Sequence, residues 1–248
     1  MNKPTNHNKS EADLASNPLA SKTTAAKTNV RLIKHPLVAE LITNLRDSTT
    51  NSMLFRSYSR ELTKMLIYEA LSDLRLTERS VISQTGVQYQ GAQVKDKVVF
   101  VGILRAGLGM LSTAMDAFPR GEFHVIGLKR NEVDPFAVEP VFYLDRLAEM
   151  SKQADRVIIV DPMLATGGSM LAALKALREK HNFAGTIQII SYIAALKGAE
   201  EIYKKYPDIT IICAGFDQKL NKHAYTVPGL GDAGDRYFGI DSNLTSIQ

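Results

Sequence analysis

One cysteine in 248 residues leaves no disulfide framework within the chain, which suits a reducing compartment. That residue, Cys213, sits in the apolar run ITIICAGF with no histidine near it in sequence. It reads as a buried structural thiol rather than a nucleophile. The five histidines (His7, His35, His124, His181, His223) are scattered without metal-ligand spacing. No apolar run approaches the roughly 20 residues of a membrane span. No GxxxxGK[ST] is present, so a nucleoside-triphosphate P-loop is excluded, and GILRAGLG over 102–109 has the wrong spacing for a dinucleotide loop. A large excess of either charge is also lacking. The formal net charge is +4, and residues 1–29 supply two of it through four lysines against Glu11 and Asp13. The remainder is close to neutral and carries no basic stripe, so a nucleic-acid footprint is not expected.

What is there is ordinary globular composition: 45% hydrophobic and 23% charged residues. The length suits one domain with appendages. Residues 1–29, rich in Asn, Ser, Thr, Lys and Ala, are expected to be a disordered tail. They lack the continuous apolar stretch of a secretory signal and contain no arginine. From Val30 the chain turns globular. Helices are expected from Pro36 to about Asp47 and from Phe55 to Leu74, with a hairpin over 80–95 around Thr85-Gly86. Apolar strands at 98–103, 123–128, 156–160, 186–193 and 209–214 then alternate with helices near 107–117, 169–180 and 197–205. Such alternation predicts a parallel α/β sheet. Residues 217–241, with many glycines and little periodicity, are expected to be irregular and functional.

The most informative stretch is VIIVDPMLATGGS, residues 157–169. Val157 to Val160 read as a buried strand that Asp161-Pro162 ends, because proline cannot continue a central strand. Thr166-Gly167-Gly168-Ser169 then open a helix. A glycine-bearing loop between a strand and a helix N-terminus binds anions through bare N–H groups and the helix dipole. The carboxylate of Asp161 beside it suggests a phosphorylated ligand that also carries hydroxyls or a metal ion. In an open parallel sheet, ligands bind beyond the carboxyl ends of the strands, so Asp161 and Arg105 should both face that crevice.

Three other clusters matter. GILRAGLG places Arg105 in a small-residue loop after a strand, where its fork suits phosphate oxygens. Lys129-Arg130-Asn131-Glu132 follows another strand and, by itself, reads as a solvated charged loop. VPGLGDAGD, residues 227–235, is too rich in glycine for a regular element and exposes main-chain groups that could read a small heterocycle.

Together, HPLV (35–38), ILRAGLGM (103–110), RNE (130–132), VDPMLATGGS (160–169) and PGLGDAGDRYFG (228–239) resemble the uracil phosphoribosyltransferase family of type I phosphoribosyltransferases. The resemblance covers roughly residues 30 to 241. It implies an α/β fold, a Rossmann-like parallel sheet flanked by helices, with a small hood region formed by N-terminal and C-terminal segments of one domain over 30–248. The implied reaction joins uracil to 5-phosphoribosyl-1-diphosphate, giving UMP and diphosphate. Asp161 would hold the ribose hydroxyls. Ala165, Thr166, Gly167, Gly168 and Ser169 would cradle the 5′-phosphate, with Pro162, Met163 and Leu164 leading into that loop. Arg105, with Ala106 and Gly107, would contact the diphosphate, and Arg130 would add a second positive contact. Gly231, Asp232 and Ala233 would face uracil, with main-chain contacts from Thr226. Asp232 would also approach the ribosyl diphosphate through Mg2+ or water, and Asp232 and Arg105 would be the catalytic residues. No protein side chain is assigned as a direct metal ligand.

The resemblance further implies a cytoplasmic homodimer or higher homo-oligomer, with GTP as an allosteric effector in some lineages. Three positions depart from it. Pro162 stands where many type I enzymes have a second acid, although the uracil enzymes share that proline. Residues 194–198 read AALKG where relatives often have an AAPEG-like run, and in sequence they lie away from the named motifs. Thr226 replaces a common isoleucine, which matters little if its contact is through the backbone.

Overall fold

The computed structural model describes residues 28–129 and 141–240. Of the expected tail, only Thr28 and Asn29 lie within that range, and the Asn29 carbonyl already accepts a hydrogen bond from the Ile211 N–H (2.9 Å). A short strand, β1 (Val30–Leu32), follows. Helix α1 (Pro36–Arg46) starts where its proline predicts. His35 Nδ1 accepts the Leu37 N–H (3.1 Å), and the proline fills a position that needs no donor. Helix α2 (Ser52–Ala70) begins earlier and ends earlier than its periodicity suggests. Asn51 caps it by accepting the Leu54 N–H (3.0 Å), and a turn closed by Leu74 N–H to Leu71 O (3.2 Å) ends it. The hairpin of β2 (Leu76–Ile82) and β3 (Gln88–Val94) turns around Thr85-Gly86 as expected.

From there the alternation holds. Strand β4 (Val98–Leu104), α3 (Leu108–Ala117) and β5 (Glu122–Lys129) come first. An unanticipated edge strand, β6 (Val141–Asp145), pairs antiparallel with β5. Then come β7 (Arg156–Val160), a two-residue β8 (Met163–Leu164) and α4 (Gly168–Lys175), the last extended by a π-helical turn over Ala176–Lys180. Strand β9 (Thr186–Ala195), α5 (Leu196–Lys205) and β10 (Thr210–Asp217) complete the main sheet. Among the described residues its order is β1-β10-β9-β7-β4-β5-β6, with β8 also pairing β9, and every pairing in it is parallel except β5–β6. The segment expected to be irregular holds a small ribbon, β11 (Lys219–Leu220) with β12 (Thr226–Val227), and a short helix, α6 (Ala233–Phe238).

Alternate strand residues build two cores. Val157 and Ile159 of β7 face α4 and α5 with Met170, Leu174 and Ile202, whereas Ile158 and Val160 face α1, α2 and α3 with Leu45, Leu66 and Met110. A strand buried on both faces must be apolar throughout, which is why these strands read as continuous runs.

The order also positions the site. Strand β4 continues through α3 to β5 on one side, while β7 continues through α4 to β9 on the other. The chain therefore diverges between the carboxyl ends of β4 and β7, which opens a crevice there.

Candidate functional site

The acid at the end of β7 is locked by β9. The Asp161 N–H donates to the Ile190 carbonyl (3.2 Å), and Ser191 Oγ donates to the Asp161 carbonyl (2.6 Å). The Pro162 carbonyl accepts from the Tyr192 and Ile193 N–H groups (3.0 and 3.2 Å). This lets β8 rejoin β9, and it leaves the Asp161 side chain facing the crevice. Leu164 turns into the core.

The loop that follows reaches α4 through Gly167, whose φ of +88° lies in the left-handed region. Gly167 offers no side chain to cap the helix, so the first turn is open to an anion. Thr166 Oγ1 lies 3.4 Å from the Gly168 nitrogen. The loop packs on the start of α5: a Cβ on Gly198 would stand 2.6 Å from the Ala165 carbonyl, and one on Gly167 would stand 3.2 Å from the Gly198 carbonyl. Gly198 belongs to the AALKG run. That run is therefore not remote from the phosphate loop, because β9 carries it back to the same end of the sheet.

The second wall is the C-terminal segment. Asp232 caps α6 by accepting the Asp235 N–H on Oδ1 (2.9 Å), while its Oδ2 lies 3.5 Å from Tyr225 Oη. Asp235 pairs with Arg105 (Oδ1 to Nη2, 3.3 Å), so the loop after β4 meets α6 directly. Arg236 holds the segment to the N-terminal helices. Its guanidinium donates to the carbonyls of Leu45, Leu230 (2.8 Å), Asp47 (2.7 Å) and Thr50 (3.2 Å), and it lies 4.4 Å over the Phe55 ring. Burial pushes its pKa below the usual arginine value.

A pocket of about 160 Å³ opens between these walls. Ala106, Asp161, Met163, Ala165, Thr226, Gly231, Asp232 and Ala233, all singled out in the sequence, line it together. Arg105 is exposed beside it, and Gly107 caps α3 behind it. Pro162 and Thr166 to Ser169 stand at the adjoining loop and helix start, while Arg130 lies outside the described residues. Three lining residues had no sequence signal of their own, His223, Ala224 and Tyr225, and Gly234 was marked only as part of VPGLGDAGD. The β11–β12 ribbon brings the first three in, through a turn where the Asn221 side chain accepts the N–H groups of His223 (2.9 Å) and Tyr225 (3.0 Å). Their one legible hint was membership of the glycine-rich segment.

Comparison with known proteins settles the family. The family model described as uracil phosphoribosyltransferase matches residues 32–240. The chain belongs to the uracil phosphoribosyltransferase family. A protein of Roseiflexus sp. (strain RS-1), named uracil phosphoribosyltransferase, is 41% identical over 210 residues, covering 85% of this chain and 98% of that protein. The structure of an Aquifex aeolicus protein superposes with a TM-score of 0.77 at 34% identity, over 86% of this chain and 99% of that one. Adenine phosphoribosyltransferase from Trypanosoma brucei matches with a TM-score of 0.53 at 13% identity, over 79% and 87% of the two chains, and shares the fold alone. The family match spans both pocket walls, from the loop after β4 to the end of α6.

Proposed function

We propose that the chain transfers the 5-phosphoribosyl group of 5-phosphoribosyl-1-diphosphate to uracil, giving UMP and diphosphate, in the pocket between β7, the loop after β4 and the C-terminal segment. Family membership supports the reaction. The observation that carries the residue roles is the meeting of Asp161 and Ala165 with Gly231 to Gly234 in one pocket. Asp161 holds the ribose hydroxyls, and Ala165 to Ser169 bind the 5′-phosphate at the start of α4. Arg105, Ala106 and Gly107 receive the diphosphate, with Asp235 releasing the arginine to it, and Arg130 adds a second cation. Thr226, Gly231 and Ala233 read the base through main-chain groups, and Asp232 faces both substrates.

The chemistry needs no protein nucleophile. Substitution at the anomeric carbon passes through oxocarbenium character, and the leaving diphosphate gathers negative charge. Arg105 aimed at that charge stabilises the transition state more than the ground state. The one thiol, Cys213, is fully buried and pushed up to about 12 by desolvation, which leaves it inert. Among the described residues, no cluster of three or more His, Cys, Asp or Glu could hold a metal by itself. The pocket does offer Asp161 and Asp232. One or two carboxylates with substrate phosphates is the usual donor set for Mg2+, so these two acids fit an ion that arrives with the diphosphate. Such an ion supplies positive charge against the leaving group.

The hairpin supports a homodimer. Leu76, Ile82, Val87 and Tyr89 are exposed on it, and a two-stranded hairpin is marginally stable alone. A second copy would cover these side chains. GTP as an effector and a cytoplasmic location come from the family resemblance alone. Among the described residues no helix is long and apolar enough to cross a membrane.

The deciding assay supplies 5-phosphoribosyl-1-diphosphate and Mg2+ with uracil, cytosine, orotate, hypoxanthine or adenine separately. UMP from uracil alone is expected. Cytosine presents an acceptor at N3 where uracil has a donor and a donor at position 4 where uracil has an acceptor, a mismatch worth roughly 10⁴ in discrimination at a well-buried polar site. Turnover of another base, or none of any, would overturn the reading.

A further inference from the structure

The base-facing loop is gripped from behind by an ion pair with a buried carboxylate, and neither partner lines the pocket. Arg46 ends α1 and Asp217 ends β10. Their contact is bidentate, Nη1 to Oδ2 (3.1 Å) and Nη2 to Oδ1 (2.7 Å), and the Asp217 side chain is only 2% exposed. Both groups also bind one residue of the loop, on its two flanking peptide units. Arg46 Nη1 donates to the Gly229 carbonyl (2.8 Å), and the Gly229 N–H donates to Asp217 Oδ2 (2.9 Å). Gly229 thus has both of its backbone polar groups on the same pair, two residues before Gly231 enters the pocket.

Room for the guanidinium is provided on β10. A Cβ on Gly215 would stand 2.8 Å from Arg46 Nη2. With Asp217 buried and Arg46 still 23% exposed, the pair is a weak source of stability, because desolvation offsets much of the attraction. It is a good source of fixed geometry, since a bidentate guanidinium–carboxylate contact sets distance and plane together.

We infer that Arg46 and Asp217 are positioning residues for the base subsite. They fix the Gly229 backbone, and through it the height of Gly231 to Ala233 over the pocket. They therefore set affinity and selectivity for the base far more than binding of the ribosyl diphosphate, whose proposed contacts other than Asp232 lie on the β4 and β7 loops. The inference rests on the proposed placement of uracil against Gly231 to Ala233.

Steady-state kinetics on the full chain test it with two gentle variants. Arg46→Lys keeps the charge and loses the fork, whereas Gly215→Ala keeps both charges and displaces the guanidinium. Each is expected to raise KM for uracil about tenfold and to leave KM for the ribosyl diphosphate within about twofold. Cytosine, tested as competitor, should gain relative to uracil. A purely structural role would move both KM values together or lower only Tm, and either result overturns the inference. Loss of folding in both variants overturns it too, since the pair would then serve the fold. Ala233→Leu, inside the pocket, is the control. If it leaves KM for uracil unchanged, the base placement itself fails. If it raises KM for uracil while the Arg46 and Gly215 variants do not, only the positioning inference fails.

Discussion

Gly109 of α3 lies directly under the ring of Tyr237 of α6: a Cβ on Gly109 would stand 2.3 Å from Tyr237 Cζ. Helix α3 continues from the loop of Arg105 to Gly107, and α6 continues from Asp232. The loop after β4 and the C-terminal segment, already joined by the Arg105–Asp235 pair, therefore also meet here without spare space. The ring has little freedom to retreat, because Arg56 holds the Tyr237 carbonyl (2.9 Å) and Phe238 packs edge-on against it. Gly109→Ala is expected to destabilise the fold by about 1–3 kcal/mol through overpacking, and to lower kcat/KM for both substrates. Thermal unfolding and two-substrate kinetics check this. A variant with unchanged Tm and unchanged kinetics would show that the helices can separate freely.

Asp232→Asn should separate charge from structure. Asparagine caps a helix as well as aspartate does, so α6 should survive. Turnover should nevertheless fall about 100-fold, the scale on which single preorganised electrostatic groups act. The measurement is kcat at saturating substrates, with thermal unfolding in parallel. Near-wild-type turnover would remove Asp232 from the reaction.

Arg105 is 64% exposed and pairs with Asp235 at 3.3 Å. An exposed pair of this kind adds little stability, so Arg105→Ala should leave Tm nearly unchanged. Losing a charge-assisted contact with the diphosphate should raise KM for the ribosyl diphosphate about tenfold or more and lower kcat as well, with a smaller effect on KM for uracil. Equal shifts in both KM values would argue that Arg105 shapes the whole pocket.

Away from the site, Asp73 accepts two hydrogen bonds from the buried Arg156 (2.6 and 3.1 Å), which hold its carboxyl below the usual carboxylate range. A carboxylate depressed in the folded state stabilises fully above its unfolded pKa of about 4, and that contribution is lost as the pH falls through the folded value. Asp73→Asn should therefore lower stability at neutral pH and flatten its decline below about pH 4. Urea unfolding from pH 7 down to about pH 2 measures this. Parallel curves for the two proteins would show that Arg156 gains nothing from the charge.

The main strands were legible because a strand buried on both faces must be apolar throughout. Three strands of the main sheet escaped, as did the two-residue β11 and β12. β1 and β8 are too short to show a period, and β6 is a half-exposed edge strand whose VFYLD has no clean alternation. Helix α6 escaped because six residues beginning Ala-Gly carry little propensity. It is held by the Asp232 cap and by Arg236 reaching four carbonyls instead.

The site divides the same way. Asp161, the phosphate loop and GLGDAGD announce themselves, because anion binding at a helix start and main-chain base reading demand particular residues at short range. Gly198, His223, Tyr225, Arg46 and Asp217 do not. Arg46 and Asp217 are 171 residues apart in sequence and meet only because β10 and α1 are brought together on one face of the sheet. By itself the sequence determined the strand–helix alternation, the anion loop and the family, all of which depend on local order. Only the tertiary structure decided which acids face one pocket, which glycines are pressed against neighbours and which arginines hold the base loop. Those depend on strand order, and strand order is a property of the packed sheet.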